Sequence, residues 1–441
     1  KTYAGRMGFP TMQDMPFAHD VDLRDDQIPD VVKYCHNDVA VTEALYDELI
    51  EQIKIRMVMS EEQGIDLRSK SDAQIAEAIL KKACGIARKE HQSPAHVAYT
   101  APSFIKTRSK VINDLIECMN AEHFKIDFAN GNVVPAEWMA EPLKLGFGSY
   151  QVGVGGLHST HDQQVYLQAS ETMLLSDFDV ASYYPNIMMV AGLIPKLGGN
   201  KGKVFLDEYQ KIYETRIAAK RAGDKKTANT LKIVLNGTFG KLGSIYCSFY
   251  SPDLLLAVTL TGQLNLLCLI YDLEKIKGVQ VRSANTDGVL VAYPPEARQQ
   301  VLDVFTKNNK RTGFEYEETP YAKYAAKDVN NYLAIGVDGK VKRKGLYGVS
   351  GISEADTPGG KNPTMEVCSN MAIEYLKTGV IDISQHKDMR DFVSVRNVKG
   401  GGIQYDRYVE SDDWELIEDH DSAQNVWQNG KGKQVKRKSR P

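Results

Sequence analysis

Acidic residues end an apolar stretch near the middle of the 441-residue chain. Asp177 and Asp179 lie in the sequence S-D-F-D-V-A-S-Y-Y-P-N-I of residues 176–187. The run from Met173 to Val180 predicts a buried strand, and the alternation of side chains along a strand places both carboxylates on one face. A buried carboxylate is costly unless it meets a cation or hydrogen-bond donors. Because Mg²⁺ is held by one or two carboxylates and substrate phosphates, the segment predicts a magnesium ligand.

A third carboxylate, Asp287, lies in the turn-forming sequence S-A-N-T-D-G. The flanking runs 279–282 and 289–293 are rich in β-forming residues, so the pattern predicts a hairpin with polar groups at its tip. Carboxylates from two strands that meet at one point can hold two divalent ions about 4 Å apart. Such a pair of ions would stabilise the attacking and the leaving oxygens of a phosphoryl transfer.

The sequence K-I-V-L-N-G-T-F-G of residues 232–240 predicts a helix that carries phosphate-binding groups. Lys232, Asn236 and Phe239 share one helical face. Lys220 would lie near that face if the helix were continuous. Residues 207–235 are helical in composition, but Gly and Asp at positions 223 and 224 predict a break between two antiparallel helices.

The remaining elements frame these segments. Periodic apolar residues predict a helix over residues 28–58, and Ser71 is a candidate N-cap for a second helix. Residues 143–165 are rich in glycine and are expected to form a connector. Ser251 and Pro252 predict the start of a helix that runs to about Lys277.

Composition excludes some classes of protein. The sequence contains no run of about 18 uncharged apolar residues, so no membrane span is predicted. Six widely spaced cysteines without a C-x-x-C pair argue against a zinc site and favour a reducing, intracellular setting. A net charge of −3 argues against a wholly basic coat but permits a nucleic-acid enzyme with a basic groove. The basic clusters are Lys220, Arg221, Lys225, Lys226 and Lys232; Lys340, Lys342, Arg343 and Lys344; and residues 431–440.

Three segments resemble, in order, the motifs of family B DNA polymerases. D-V-A-S-Y-Y-P-N-I resembles motif A (D-x-x-S-L-Y-P-S-I), K-I-V-L-N-G-T-F-G resembles motif B (K-x-x-x-N-S-x-Y-G), and N-T-D-G resembles motif C (D-T-D-S). Further similarities lie in Y-C-H-N-D at 34–38, which resembles the Y-x-x-x-D of the 3′–5′ exonuclease, and in the Gly-Gly connector at 155–159. K-D-V-N-N-Y at 327–332, the Lys-Gly pair at 344–345 and residues 392–402 resemble the primer-binding motifs and the start of the thumb of phage members.

The resemblance implies a role for each matched residue. Asp179 and Asp287 would bind two Mg²⁺ ions with the Val180 carbonyl, and Asp177 is a reserve ligand. Tyr184 would be a steric gate against ribonucleotides. The other implied roles are dNTP binding by Ser182, Tyr183, Tyr184, Lys220, Lys232, Asn236 and Phe239; primer–template binding by Tyr332 and Lys344; and an exonuclease remnant at Tyr34 and Asp38.

The implied fold is an α+β right hand with an antiparallel-sheet palm, helical fingers and a small thumb. The expected divisions are an exonuclease remnant (1–60), an N-terminal palm and connector with motif A (61–200), fingers with motif B (201–241), a palm with motif C (242–355), and a thumb with a basic tail (356–441). The implied activity is template-directed DNA synthesis in replication, by a viral or phage enzyme. The implied partners are primer–template DNA and dNTPs, with accessory replication proteins left open and no membrane. The implied location is the cytoplasm, that of the host cell if the protein is viral.

The sequence departs from the family at several positions. Asn285 replaces the first Asp of motif C; Gly288 and Gly237 replace serines, Phe239 a tyrosine and Asn186 a serine. The D-x-E exonuclease motif is not found upstream of Tyr34, so we expect residue 1 to fall inside an exonuclease domain. We also expect that this chain cannot proofread by itself. The alternatives are a catalytically weak or inactive DNA-binding relative, a palm-type polymerase that uses RNA, and a nuclease.

Overall fold

A computed structural model describes residues 2–7, 9–11, 13–18, 20–86, 93–160, 164–348, 364–394, 427–428 and 433–434. The fold is α+β, with helices and a large antiparallel sheet, as the sequence predicts. The chain forms two compact units, one of residues 1–51 with 348–441 and one of residues 52–347. Residues 395–402, which carry most of the predicted start of the thumb, and all but two residues of the basic tail 431–440 lie outside the described residues.

The described residues of the first unit lie mainly in helices. Leu49 interrupts the predicted helix 28–58: its N–H donates to the carbonyls of both Leu45 and Tyr46 at 3.1 Å, and a new helix starts at Ile50. The elements of this unit are α1 (Thr2–Met7), α2 (Ile28–Glu48), α11 (Glu366–Thr378), the paired strands β13 (Trp427–Gln428) and β14 (Lys433–Gln434), and the 3₁₀ turns Asp25–Gln27, Ile383–Gln385 and Met389–Phe392.

The second unit packs its helices against a sheet. The helices are α3 (Ile50–Gln63), α4 (Asp72–Ala83), α5 (Lys110–Ala121), α6 (Tyr183–Val190), α7 (Lys201–Arg221), α8 (Lys225–Lys241), α9 (Pro252–Leu273) and α10 (Arg298–Thr312), with 3₁₀ turns at Glu137–Ala140, Pro295–Ala297 and Gly345–Tyr347. The predicted break between α7 and α8 is confirmed, and Asp224 caps α8 by accepting from the Thr227 N–H at 3.0 Å. The predicted N-cap Ser71 is also confirmed, at the start of α4.

The sheet of this unit has 10 strands. Its order is β12-β11-β10-β7-β9-β8-β5-β4-β3, and β6 also pairs with β10. The strands are β3 (Leu143–Leu145), β4 (Gly148–Gln151), β5 (His158–Thr160), β6 (Val165–Gln168), β7 (Leu174–Val180), β8 (Gln280–Asn285), β9 (Gly288–Tyr293), β10 (Tyr316–Asp328), β11 (Asn331–Gly336) and β12 (Val341–Arg343); β1 (His96–Ala98) and β2 (His123–Lys125) pair separately. The predicted strand 173–180 and the predicted hairpin are therefore confirmed.

Helix α9 forms the core behind the sheet. It is apolar on all sides, as expected of a helix that contacts protein on all sides. Among the described residues it is the one helix long and apolar enough to cross a membrane, and 83% of its apolar stretch is buried inside the protein. It begins at Pro252 as predicted but ends at Leu273, four residues before Lys277.

The prediction of a connector over residues 143–165 is wrong in part. Strands β3, β4 and β5 lie in this range and extend the sheet. A loop remains between β4 and β5, and the buried Gln263 of α9 holds it by donating to the carbonyls of Gly153 and Gly155 at 2.7 Å. These strands have only three or four residues each in glycine-rich sequence, which is too short to show the alternation that predicts a strand.

Candidate active site

The central strands of the sheet place Asp179 and Asp287 beside each other. Asp179 is the penultimate residue of β7 and lies opposite Gly288, the first residue of β9. The Val180 N–H donates to the Asp287 carbonyl at 2.8 Å, so the two backbones are directly bonded. A Cβ at Gly288 would lie 2.1 Å from Asp179 Oδ1, and glycine is therefore required for the Asp179 carboxylate to lie where it does. This contact gives a physical reason for the glycine in place of serine.

Both carboxylates line one cavity of about 380 Å³. Strands β7, β8, β9, β10, β11 and β12 contribute its walls. The lining residues are Asp177, Asp179, Ser283, Asn285, Thr286, Asp287, Gly288, Leu290, Tyr324, Asn330, Tyr332, Lys342 and Lys344.

The carboxylates are held in surroundings that disfavour their negative charge. Burial and then the charge of Asp177 raise the pKa of Asp179, against the opposing effect of Lys342. Asp287 lies at the exposed mouth of the cavity, where loss of hydration and the charge of Asp179 raise its pKa to about 6. Two neighbouring acids whose negative charges are poorly compensated strongly favour the binding of a cation.

The Lys342 ammonium supplies part of this positive charge. Its Nζ lies 2.9 Å from Asp177 Oδ2 and 3.3 Å from Asp179 Oδ2. Burial would lower the pKa of Lys342, but the charges of these two acids raise it well above the usual range. The Tyr321 hydroxyl also donates to Asp177 Oδ2, at 2.8 Å. The sequence marked Lys342 only as part of a basic cluster, although strand alternation puts it on the same face as Lys344.

The turn from β7 into α6 brings an aromatic pair to the site. Tyr184 stacks on Phe239 of α8, with ring centroids 4.3 Å apart and planes at 28°. The Tyr183 ring is buried beside that of Tyr184, with ring centroids 6.0 Å apart, and its hydroxyl donates to the Gly262 carbonyl at 2.7 Å. Of these two neighbours, Tyr184 is therefore the one whose ring faces α8.

Ser182 opens α6 in the left-handed conformation, with φ at 52°. Arg216 of α7 donates from Nη1 to the Ser182 hydroxyl at 2.6 Å. Sequence analysis missed Arg216, although it precedes Lys220 by four residues and so shares its helical face. The contact places a guanidinium at the turn predicted to bind phosphates.

The predicted phosphate-binding lysines lie on different helices. Lys220 lies in the last turn of α7, and its Nζ contacts Glu317 Oε1 of β10 at 2.8 Å, while Glu317 lies opposite Asp179 in the sheet. Lys232 and Asn236 follow the break and are exposed on α8. The continuous helix that would have aligned Lys220 with Lys232 does not form, and tertiary packing positions Lys220 instead.

The hairpin tip is held by neighbours that sequence analysis did not identify. The Asn285 amide donates to the Val329 carbonyl at 3.0 Å, which an aspartate could not do. Thr286 has a φ of 58°, and its N–H donates to the Leu157 carbonyl at 2.8 Å. Its hydroxyl is 3.4 Å from His158 Nε2. The backbone at Asp287 is thus fixed from two sides.

The predicted primer-binding residues occupy different parts of the same wall. Tyr332 is 8% exposed, and its ring packs against Tyr324 at 5.2 Å. Lys344 is exposed, and its N–H donates to the Tyr332 carbonyl at 2.9 Å.

Tyr34 and Asp38 belong to the other compact unit. They lie one turn apart on α2, and a hydrogen bond to Asp38 raises the pKa of Tyr34. Asp38 is exposed, while Tyr34 is half-buried. A contact along one helical face accounts for this pair, and its exonuclease origin stays a prediction.

The donor set at the cavity suits a hard cation. Among the residues that the structure describes, no group of three or more His, Cys, Asp or Glu side chains is arranged to hold a metal ion. Asp179 and Asp287 nevertheless present oxygen ligands, which Mg²⁺ prefers, and Mg²⁺ is commonly held by two carboxylates with substrate phosphates. The residues present therefore fit Mg²⁺.

Fold and site together define an α+β protein with paired carboxylates and nearby cationic and aromatic side chains in one cavity. No family model matches the chain. It is 32% identical over 80 residues to DNA polymerase II of Escherichia coli K12, a match covering 18% of this chain and 10% of that protein. A family B DNA polymerase from the archaeon Pyrobaculum calidifontis matches 73% of this chain and 39% of its own, with 16% identity and a TM-score of 0.37.

The sequence match makes this stretch of 80 residues similar to a DNA polymerase. The chain spans well under half the length of either protein that it matches.

Proposed function

We propose that this chain is the polymerase part of a family B DNA polymerase of viral or phage type. It adds deoxynucleoside triphosphates to a primer 3′-hydroxyl by a two-metal mechanism. The observation that carries the proposal is the convergence of Asp179 and Asp287, from motif segments far apart in sequence, on one cavity.

Asp179 and Asp287 would hold two Mg²⁺ ions with the Val180 carbonyl. The bound ions would supply charge stabilisation for the attacking and leaving oxygens. The protein's own contribution is to fix both carboxylates on hydrogen-bonded strands before substrate arrives. Such positioning and electrostatic stabilisation account for most of the catalysis of phosphoryl transfer.

Cationic groups around the turn into α6 bind the triphosphate in this proposal. The backbone amides of residues 182–184 face the phosphates, since N–H groups at a helix N-terminus favour anions. Lys220 and Lys232 neutralise phosphate charge, and Asn236 orders the site. The Arg216 guanidinium, bonded to Ser182, adds a donor at the same turn.

The Tyr184–Phe239 stack recognises the sugar and the nascent base pair. The Tyr184 ring would lie under the sugar C2′ and exclude a ribose hydroxyl, and a steric clash of this kind discriminates strongly. Phe239 supports that ring and packs at the base pair. Tyr332 and Lys344, which line the cavity with Asp179 and Asp287, would hold the primer–template.

A right hand is the architecture that this proposal implies. Residues 61–200 and 242–355 form the palm, 201–241 the fingers and 356–441 the thumb with its basic tail. Residues 1–60, which carry Tyr34 and Asp38, are exonuclease-like in this proposal. Primer–template DNA and dNTPs are the proposed partners, with accessory replication proteins, in the cytoplasm of the host cell.

Primer extension with Mg²⁺ tests the proposal. Wild-type protein should extend a labelled primer by template-directed steps, and Asp179→Asn and Asp287→Asn should lower the rate by at least about 1,000-fold, because each removes a metal ligand. Asp303→Asn, an exposed acid on α10, is the matched control and should extend normally. Extension that survives both site substitutions would end the proposal.

A catalytically weak or inactive DNA-binding relative is the second candidate. Asn285 favours it, because the first motif C acid is replaced by an amide that is committed to the Val329 carbonyl. Wild-type protein that binds primer–template in a gel-shift assay but extends no primer at any Mg²⁺ concentration would select this candidate.

A further inference from the structure

Lys342 lies where the paired carboxylates of the cavity call for a cation. Its ammonium lies within 3.3 Å of one oxygen of Asp177 and one of Asp179. Asp179 is a proposed metal ligand, whereas Asp177 is 9% exposed and is bonded to the Tyr321 hydroxyl. The ammonium therefore bridges one acid that is predicted to bind metal and one that is locked into the fold.

We propose that Lys342 is an internal counter-cation that occupies the site before metal binds. Metal binding at Asp179 then exchanges one cation for another: the ammonium gives up Asp179 and keeps Asp177. The inference deepens the proposed function and rests on it, because it concerns how this chain's own residues receive the divalent ion.

The geometry around Lys342 favours a shift of its ammonium away from Asp179 while the contact with Asp177 is kept. Asp177 holds the nearer of the two contacts, 2.9 Å against 3.3 Å, and its oxygen is already oriented by Tyr321. The Lys342 side chain is 31% exposed, so it has room to shift toward solvent. The exchange avoids leaving the carboxylates uncompensated, which would be costly in a partly buried site.

Two consequences distinguish cation exchange at Asp179 from the general electrostatic effect of a nearby positive charge. The metal-free protein depends on Lys342 for stability, and the first divalent ion binds more weakly than the bare carboxylates would allow. Lys344 lines the same cavity with the same charge, but no ion pair of its side chain with either acid is found. Removal of Lys344 therefore changes the field while leaving the exchange intact.

The test measures binding of Mn²⁺ alone, without DNA or nucleotide, by electron paramagnetic resonance of the free ion at pH 8. Lys342→Met should bind Mn²⁺ at least about 10-fold more tightly than wild type, a typical coupling between linked binding events. It should also melt at a lower temperature in EDTA. Lys344→Met should change the affinity by less than about three-fold, and Lys342→Arg, which keeps the charge, should stay close to wild type.

Equal or weaker binding by Lys342→Met overturns the proposal, as does an equal gain in Lys344→Met. A wild type that binds no divalent ion instead rejects the two-metal function itself, so the two failures are distinguishable. If Lys342→Met does not fold, ¹⁵N-lysine-labelled wild type provides a second measurement. The Lys342 ammonium signal, assigned by its loss in Lys342→Arg, must shift on addition of Mg²⁺, and an unmoved signal refutes the exchange.

Discussion

Replacement of Asp287 by asparagine should stabilise the metal-free protein while abolishing polymerisation. Asparagine has nearly the shape of aspartate but carries no charge. The ionised Asp287 carboxylate is disfavoured by loss of hydration and by the charge of Asp179, which together raise its pKa from 3.8 to about 6. The folded state therefore holds a proton on Asp287 more tightly than the unfolded chain does.

The sign of the pH dependence follows from proton binding. Between pH 4 and 6 the folded state binds more protons than the unfolded chain, so the contribution of Asp287 to stability falls as pH rises through this window. Above about pH 6 the penalty is constant, and below about pH 4 it is absent. A shift of about two units would correspond to roughly 3 kcal/mol. Since Asp287 is exposed, solvent screening reduces the expected value to about 1 kcal/mol.

Urea denaturation in EDTA measures the effect. Asp287→Asn should exceed wild type by about 1 kcal/mol at pH 7.5, corresponding to about 2 °C in melting temperature for a unit of this size, and the two should coincide near pH 4. Asp338→Asn is a control of opposite sign, because a hydrogen bond to Lys340 lowers the pKa of Asp338. A variant less stable than wild type at pH 7.5, or a difference that persists at pH 4, would refute the electrostatic reasoning.

Three further substitutions test separate parts of the site. Tyr184→Ala should raise ribonucleotide relative to deoxynucleotide incorporation by at least about 10-fold in single-nucleotide extension, because it removes the proposed clash at the sugar; an unchanged ratio rejects the gate. Asn285→Asp should lower the free energy of unfolding by about 1–3 kcal/mol, because it deprives the Val329 carbonyl of its donor. A variant that is more stable and more active than wild type would show that this hydrogen bond does not stabilise the hairpin tip. Gly237→Ser should lower the free energy of unfolding by about 1–3 kcal/mol, since a Cβ there would lie 2.8 Å from a backbone oxygen of α4. Gly240→Ser, where a Cβ would meet nothing within 4 Å, should leave stability nearly unchanged. Equal losses of stability in the two variants would contradict the packing argument.

Local patterns in the sequence were sufficient for the elements that carry the site. The apolar run before Asp179, the turn formers before Gly288 and the Gly-Asp break between α7 and α8 all act within a few residues. Strand alternation and turn chemistry depend on neighbours along the chain, so they are visible without tertiary information. The short strands β3, β4 and β5 escaped prediction because each has only three or four residues, too few to show the alternation that marks a strand.

The partners of the site residues were outside the reach of sequence. Lys342 was one basic residue among several, and only the pairing of β11 with β12 brought its ammonium to Asp177 and Asp179. Arg216 was an ordinary helical residue until α7 packed against the turn at Ser182. Both contacts depend on distances between segments far apart in the chain.

The sequence by itself determined which side chains could bind a metal and a phosphate, because that depends on their chemical groups and on local strand and turn patterns. Only the tertiary structure decided how their charges are balanced. Desolvation and Coulomb energy depend on distance and burial in three dimensions. Asp179 and Asp287 are thus recognisable as candidate ligands from sequence, while the raised pKa of each is a property of the folded cavity.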